Sequence, residues 1–367
     1  MRVFHIAADQ FSELDALPAE LPATGYLWAG VARREFEIHV NDVQSALQRW
    51  GIGPLVDLHI SDLLNKQLPS HYDYTSWYDL LVFRRLVAGA NADEKGASTL
   101  DSARRALEAI DTSPVGFAVF DRVLLTVHPN DCAVREFFAL RLEQQTVGAE
   151  SRAALRLPTS PPDLMLRMVN YMVDSYLDLR RLLTKQFSAL QQELFRPGSQ
   201  FDNWQVLLES RNALHLLEDT CEDQRSAIQE WIDALAEWPA ASDPAAARER
   251  ELLRVRSSDV QEHIERVLSH VRRLESSAET AVQMHFSAQS NRTNDIMRTL
   301  TVLTAVFLPL NLITGFFGMN FDFLPGIHRA SGFWFTLGVM GFVGIGLMIY
   351  FWRKRYLGTH ATPGQRR

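Results

Sequence analysis

The chain has 367 residues, room for a sizeable core of one or two domains, and its formal net charge of −7 with 47% hydrophobic residues describes an ordinary acidic protein only on average. Two cysteines, Cys132 and Cys221, exclude a disulfide framework and a thiolate metal centre and fit a reducing compartment. Mean hydropathy is −0.11, a value that conceals two long uncharged stretches near the C-terminus.

Residues 1–10 carry no long apolar run behind a basic patch, so no cleaved signal peptide is expected. Over roughly the first 155 residues, short apolar runs alternate with turn signals. The runs at 3–6, 25–29, 35–40, 80–83, 116–120 and 123–127 read as strands, and the windows 41–50, 54–64, 99–109 and 133–143 as helices. The pattern predicts an α/β domain over residues 1–157, with its strand order open.

After Pro161-Pro162 the texture becomes continuous helix, with Ser160 and Asp163 as starting signals and Pro197-Gly198 as a stop. The next helix extends to about Trp238. Residues 201–240 hold nine acids against Arg211 and Arg225, an excess equal to that of the whole chain. A solvated helix face is one reading, and an acidic collar that concentrates divalent cations near a pore mouth is the other.

Asp243-Pro244 forms an N-cap and first-turn pair, and no glycine or proline follows until Pro309. The 64 residues 245–308 correspond to one helix of ~96 Å, far longer than the average globular helix. Such a helix needs neighbours, so an oligomer is expected. The helical region is expected over 158–298, its long helix running as a stalk into a first membrane span.

Residues 299–321 contain no charged side chain, nor do residues 330–352. About 20 apolar residues cover the ~30 Å bilayer interior, so each stretch can span it. Spans are expected at about 299–319 and 331–352, joined by a short outer loop carrying Asp322, His328 and Arg329. The second span stops at Arg353-Lys354-Arg355, and residues 353–367 form a basic tail. The positive-inside rule places that tail, and with two spans the N-terminal region, in the cytoplasm.

The first span ends in Gly318-Met319-Asn320 after a Phe307-Leu308-Pro309-Leu310 segment. With the short loop, second span and basic tail, this resembles the CorA family of divalent metal transporters, whose hallmark is Gly-Met-Asn at that place. Residues 291–297 resemble the family's approach to the membrane, and 123–128 a strand of its N-terminal domain. The resemblance covers nearly the whole chain, most strongly from Ser258 onwards. It implies an α+β membrane protein, a funnel-shaped homopentamer in the bacterial inner membrane, and a channel rather than an enzyme.

Asn294, Met297, Thr301, Thr304, Leu308, Asn311 and Gly315 recur every three or four residues, along one side of one helix. Lining a hydrated lumen satisfies Asn311 in mid-span, and an interhelical hydrogen bond is the alternative. Met297, Leu300 and Leu308 fit hydrophobic constrictions that close by dewetting, or ordinary helix packing. The resemblance makes Gly318, Met319 and Asn320 the selectivity filter. A ring of neutral Asn320 amide oxygens accepting hydrogen bonds from the hydration shell suits Mg²⁺, which sheds water reluctantly.

Asp259 and His263, one turn apart, resemble the family's cytoplasmic metal-sensing segment, with a solvated stalk face as the alternative. The loop 321–328 lacks the glutamate that many magnesium transporters of the family carry, and Asp322 is its candidate replacement. Pro325-Gly326 and Gly332-Phe333-Trp334 look more like the zinc-associated ZntB branch. Expected partners are divalent cations, the lipid bilayer and further copies of the chain, without nucleic acid. No cofactor is expected beyond transported or regulatory Mg²⁺, or Zn²⁺. Transport of Zn²⁺, Co²⁺ or Ni²⁺, with or without proton coupling, is the alternative, and a membrane-anchored sensor or scaffold with a vestigial pore is a third reading.

Overall fold

A computed structural model describes residues 1–8, 10–88, 110–130, 133–147, 157–194, 204–239, 243–319 and 330–354. The predicted helix at 99–109, the stop at Pro197-Gly198, Cys132, Asn320, Asp322 with its loop, and the tail from residue 355 lie outside them. The chain divides into two compact units, Met1–Ala281 and Val282–Arg367.

In the first unit the strands are β1 (Arg2–Ile6), β2 (Phe11–Leu14), β3 (Tyr26–Ala32), β4 (His71–Tyr74), β5 (Asp79–Arg84), β6 (Val87–Ala88), β7 (Ile110–Asp111), β8 (Pro114–Val119) and β9 (Val123–His128). Seven of them form one sheet in the order β2-β1-β3-β9-β8-β5-β4. β3 and β9 run parallel, from Leu27 opposite Val123 to Ala32 opposite His128. Every other pair in that sheet is antiparallel. Across the parallel pair the buried Trp28 indole donates to Thr126 Oγ1 at 3.0 Å.

β3, β8 and β9 are buried along their whole length, so both faces of the sheet must be covered. Strand alternation divides their side chains between two cores. Leu81, Phe83 and Leu124 join the core facing the long helices, and Leu80, Val82 and Leu125 join that beneath α1 (Arg33–Arg49) and α2 (Asp57–Leu64).

One predicted strand is corrected. Residues 35–40 are not extended but belong to α1, which begins at Arg33 instead of residue 41. The alternating Phe36, Ile38 and Val40 suggest a strand over six residues. Phe36, Val43 and Leu47 are the positions that bury, at helical spacing, while Ile38 stays 75% exposed. The longer period, packed against the sheet, decides the conformation.

α3 (Ala133–Val147) is followed by α4 (Pro161–Asp174) and α5 (Tyr176–Leu194). The run expected to be one continuous helix after Pro161 is thus interrupted at Ser175, whose hydroxyl donates to Met172 O at 2.6 Å and to Leu86 O at 3.3 Å. Ser160 makes no side-chain cap. The starting signal acts through Asp163, whose Oδ2 accepts the Thr159 N–H at 3.1 Å.

α6 (Trp204–Glu237) and α7 (Pro244–Phe317) pack together. Leu214, Leu217, Cys221, Ile228 and Leu235 share a core with Leu253, Val260, Ile264, Leu268 and Val271. Trp231 Nε1 donates to Ser257 Oγ across the two helices at 2.9 Å. α7 starts as its sequence signal requires, with Asp243 Oδ1 accepting the Ala246 N–H at 2.7 Å. Its 74 residues amount to ~111 Å of helix. The helix continues past Pro309, the first residue able to break it.

His128, at the end of β9, is 3% exposed, and its Nδ1 meets Pro129 O at 3.1 Å. Burial pushes its pKa down from 6.5 to about 4, so the unfolded chain binds the extra proton between those values. Stability is therefore full above pH 6.5 and falls as pH drops towards 4. A loss of about 2 kcal/mol between pH 7 and pH 5 is expected. Thermal unfolding across that window should show the slope, and His128→Gln should flatten it.

The second unit holds the end of α7 and α8 (Ala330–Arg353). Both helices are long and apolar enough to cross a membrane. Within this unit Val302 and Val306 are buried, and a Cβ on Gly344 of α8 would stand 3.7 Å from Leu310 Cδ1. That is an ordinary van der Waals distance, so the two helices approach closely there without requiring glycine.

Candidate functional site

Two groups of side chains carry the expected chemistry, one in each unit. In the second unit, Asn294, Met297, Thr301, Thr304, Leu308, Asn311 and Gly315 are all exposed in the single chain. At 100° per residue they occupy roughly 100° of the α7 circumference, centred about 150° from the buried Val302 and Val306. The face that packs within this unit and the polar-apolar stripe are therefore different faces. Leu300, 55% exposed, extends the stripe at its edge.

The threonine hydroxyls of this segment, on the stripe and off it, are satisfied locally. Thr301 Oγ1 donates to Met297 O at 2.8 Å and Thr304 Oγ1 to Leu300 O at 2.9 Å. Thr314 Oγ1 donates to Leu310 O at 3.1 Å and to Asn311 O at 3.0 Å, near the C-terminal end of the helix.

Gly318 and Met319 follow the last helical residue, Phe317. The Gly318 N–H donates to Thr314 O at 2.9 Å, which closes the final turn. A Cβ at residue 318 would stand 2.9 Å from that same oxygen, so glycine permits the tight ending. Asn320 and Asp322, the remaining residues expected at this end, lie outside the described residues.

In the first unit, the structure brings together Asp259, His263 and a residue not anticipated from sequence, Asp174. His263 Nδ1 lies 3.0 Å from Asp174 Oδ1, and its Nε2 lies 3.7 Å from Asp259 Oδ1. Asp174 is the last residue of α4, 89 positions before His263. No local periodicity links residues so far apart. Asp174 and Asp259 also line a cavity of about 210 Å³ with Arg141, Gln145, Asn170 and Tyr171.

The floor of this region is anchored by Asp163, which is fully buried. Arg256 Nε stands 2.6 Å from its Oδ1, and Arg167 Nη2 stands 3.1 Å from its Oδ2. Burial pushes the Arg256 guanidinium below its ordinary value, and the Asp163 charge opposes that shift.

The acidic helix α6 is partly neutralised inside the fold. Arg272 of α7 reaches Glu218 at 2.6 Å and also pairs with Glu222, and the hydrogen bond from Arg272 holds the Glu218 carboxyl below its usual range. Asp223 is pushed up by burial and by the adjacent Asp219. A collar formed by this helix would therefore present less than its formal charge.

The family described as CorA-like Mg2+ transporter protein matches residues 52–355. The cobalt/magnesium transport protein CorA of Thermotoga maritima is 25% identical over 53% of this chain and 52% of its own length. The chain thus spans about half the length of that relative. The magnesium transport protein CorA of Yersinia pseudotuberculosis is 24% identical over 67% of this chain and 72% of that protein. The solved structure of the CorA magnesium transporter from Methanocaldococcus jannaschii aligns with a TM-score of 0.72 at 15% identity, covering 96% of this chain and 97% of that one. That likeness extends the agreement in fold over the sheet domain, the long helix and the apolar C-terminal helices.

Proposed function

This chain belongs to the CorA-like Mg2+ transporter family, and we propose that it carries a divalent cation across a bilayer as a funnel-shaped homopentamer. The observation that supports the reading most directly is the stripe on α7. A file of Asn, Met, Thr and Leu side chains that closes at Gly315 is turned away from the helix's packing face, shortly before Gly318-Met319. Five such stripes facing one axis line a hydrated passage, with Asn320 as the outer selectivity ring and Asp322 just beyond it. Met297, Leu300 and Leu308 form its dewetting constrictions.

Mg²⁺ uptake into the cytoplasm is the proposed direction, in a bacterial inner membrane with both termini inside. The proposed organisation is an α/β domain over 1–157, a helical region over 158–298, two spans over 299–352 and a basic tail. A negative-inside potential supplies ~2.3 kcal/mol per charge per 100 mV, so ~4.6 kcal/mol for a dication, without nucleotide. Asp259 and His263 are the proposed regulatory metal ligands, with Asp174 orienting the imidazole through its other ring nitrogen. The imidazole among them favours the second reading, in which Zn²⁺, Co²⁺ or Ni²⁺ is the relevant ion, because imidazole suits transition metals better than Mg²⁺.

Purified protein in liposomes separates the two. Mg²⁺ uptake that grows with the imposed negative-inside potential is expected. Flux restricted to Zn²⁺, or flux that follows only a proton gradient, would move the assignment to the second reading.

A further inference from the structure

Among the described residues outside the sites above, one set of side chains has the composition and geometry of a metal site. α6 presents His215 and Glu218 one turn apart on one face, and Glu275 reaches them from α7. One ligand atom from each lies within 4.8 Å of the others, and His215 Nε2 stands 3.0 Å from Glu275 Oε1. Ligands 2.0–2.2 Å from a common ion lie roughly 3–3.4 Å apart, so this separation already matches one edge of a coordination polyhedron.

The supporting frame is fixed on both sides. Leu214 and Leu217 of α6 and Leu268 and Val271 of α7 are buried in a shared core. Arg211 bridges to Glu279 at 3.2 Å, about one turn from the set, and Arg272 bridges to Glu218 at 2.6 Å on the other side. Arg272 engages Oε1 of Glu218 and so orients the carboxylate as outer-sphere partners of metal ligands do, while Glu218 and Glu275 hydrogen-bond to each other through a shared proton that a bound dication would displace. His215 is 47% exposed, whereas Glu218 and Glu275 are only 20% and 15% exposed. An ion can enter from the imidazole side and meet two carboxylates that are partly withdrawn from water.

We propose that His215, Glu218 and Glu275 form a binding site for a borderline transition-metal dication such as Zn²⁺ or Co²⁺. One imidazole and two carboxylates suit these ions, whereas Mg²⁺ demands near-octahedral oxygen ligands and keeps its water. Two carboxylates this close repel each other, and a dication between them removes the repulsion. Three protein ligands leave positions for water, so the bound ion exchanges with solvent. The site couples α6 to α7 and is independent of the transported ion, so it stands or falls apart from the transport reading.

The full-length protein in detergent, stripped with chelator, is titrated with Zn²⁺, Co²⁺ and Mg²⁺ in separate calorimetric experiments. Wild type is expected to bind one more Zn²⁺ or Co²⁺ per chain than His215→Ala or Glu275→Gln, with no corresponding difference for Mg²⁺. The pair Asp259→Asn with His263→Ala should retain that ion. X-ray absorption of the retained zinc should show a single imidazole nitrogen among oxygen ligands, and Arg272→Gln should weaken it about 10-fold. The site is overturned if His215→Ala and Glu275→Gln, eluting and melting as wild type does, bind Zn²⁺ and Co²⁺ with unchanged stoichiometry and affinity.

Discussion

Replacing Asn320 with alanine is expected to lower divalent flux at least ~10-fold while leaving assembly and unfolding temperature unchanged. In the proposed pore the amide oxygen accepts a hydrogen bond from a water of the hydrated ion, and each such bond is worth ~1 kcal/mol net. A ring loses several at once, and ~1.4 kcal/mol already makes a tenfold difference. Alanine offers no acceptor, so the hydrated cation loses its partners at the outer mouth. Asn320→Asp tests the same chemistry from the other side. A carboxylate binds the dication more tightly, so flux should saturate at lower Mg²⁺ and reach a lower maximum. Potential-driven uptake in liposomes measures both, and wild-type flux through Asn320→Ala would remove the ring from the mechanism.

What could be read from residue order alone follows from the range of the interactions involved. The strands over residues 3–6, 80–83 and 123–127 declare themselves because alternation is local and serves two cores at once. Their order does not, since pairing Leu27 with Val123 depends on contacts nearly a hundred residues apart. The four-residue β2 and β4 and the two-residue β6 and β7 are too short for a periodic signal. Residues 35–40 mislead because an alternating six-residue window fits both periods, and only the burial of Val43 and Leu47 further along selects the helix.

The candidate sites divide in the same way. The stripe from Asn294 to Gly315 lies on one helix, so spacing alone places its residues on one side, and the exposed face agrees with that placement. Asp243 is likewise a local signal, and it caps α7 as its position suggests. Asp174 beside His263, and Glu275 beside His215, are products of helix packing. Nothing near any of these residues in sequence indicates its partner. The two helices long and apolar enough to cross a membrane are legible from the absence of charge alone, because a bilayer interior tolerates so few ionised groups.

Asp163→Ala should destabilise the first unit by about 3 kcal/mol. The carboxylate is fully buried, forms ion pairs with Arg256 at 2.6 Å and Arg167 at 3.1 Å, and accepts the Thr159 N–H at the start of α4. Removing it takes the counter-charge from both guanidiniums and one acceptor from the helix terminus. The estimate sits at the low end of the range for breaking buried pairs because the Arg256 side chain is 33% exposed and can turn towards water. If the charge is what matters, Asp163→Asn should recover less than half of the loss, since the amide restores volume and the acceptor but not the charge. Asp163→Ala combined with Arg256→Met should be milder than the sum of the two single changes, because the double variant leaves one fewer buried cation unpaired. Because Arg256 lies one turn before Asp259 on α7, loosening it should also weaken any protection that added divalent cation gives the protein against proteolysis. Thermal unfolding of the three variants decides the matter. A loss below ~1 kcal/mol for Asp163→Ala, or strict additivity in the double variant, would show that the contact does not hold the long helix to α4.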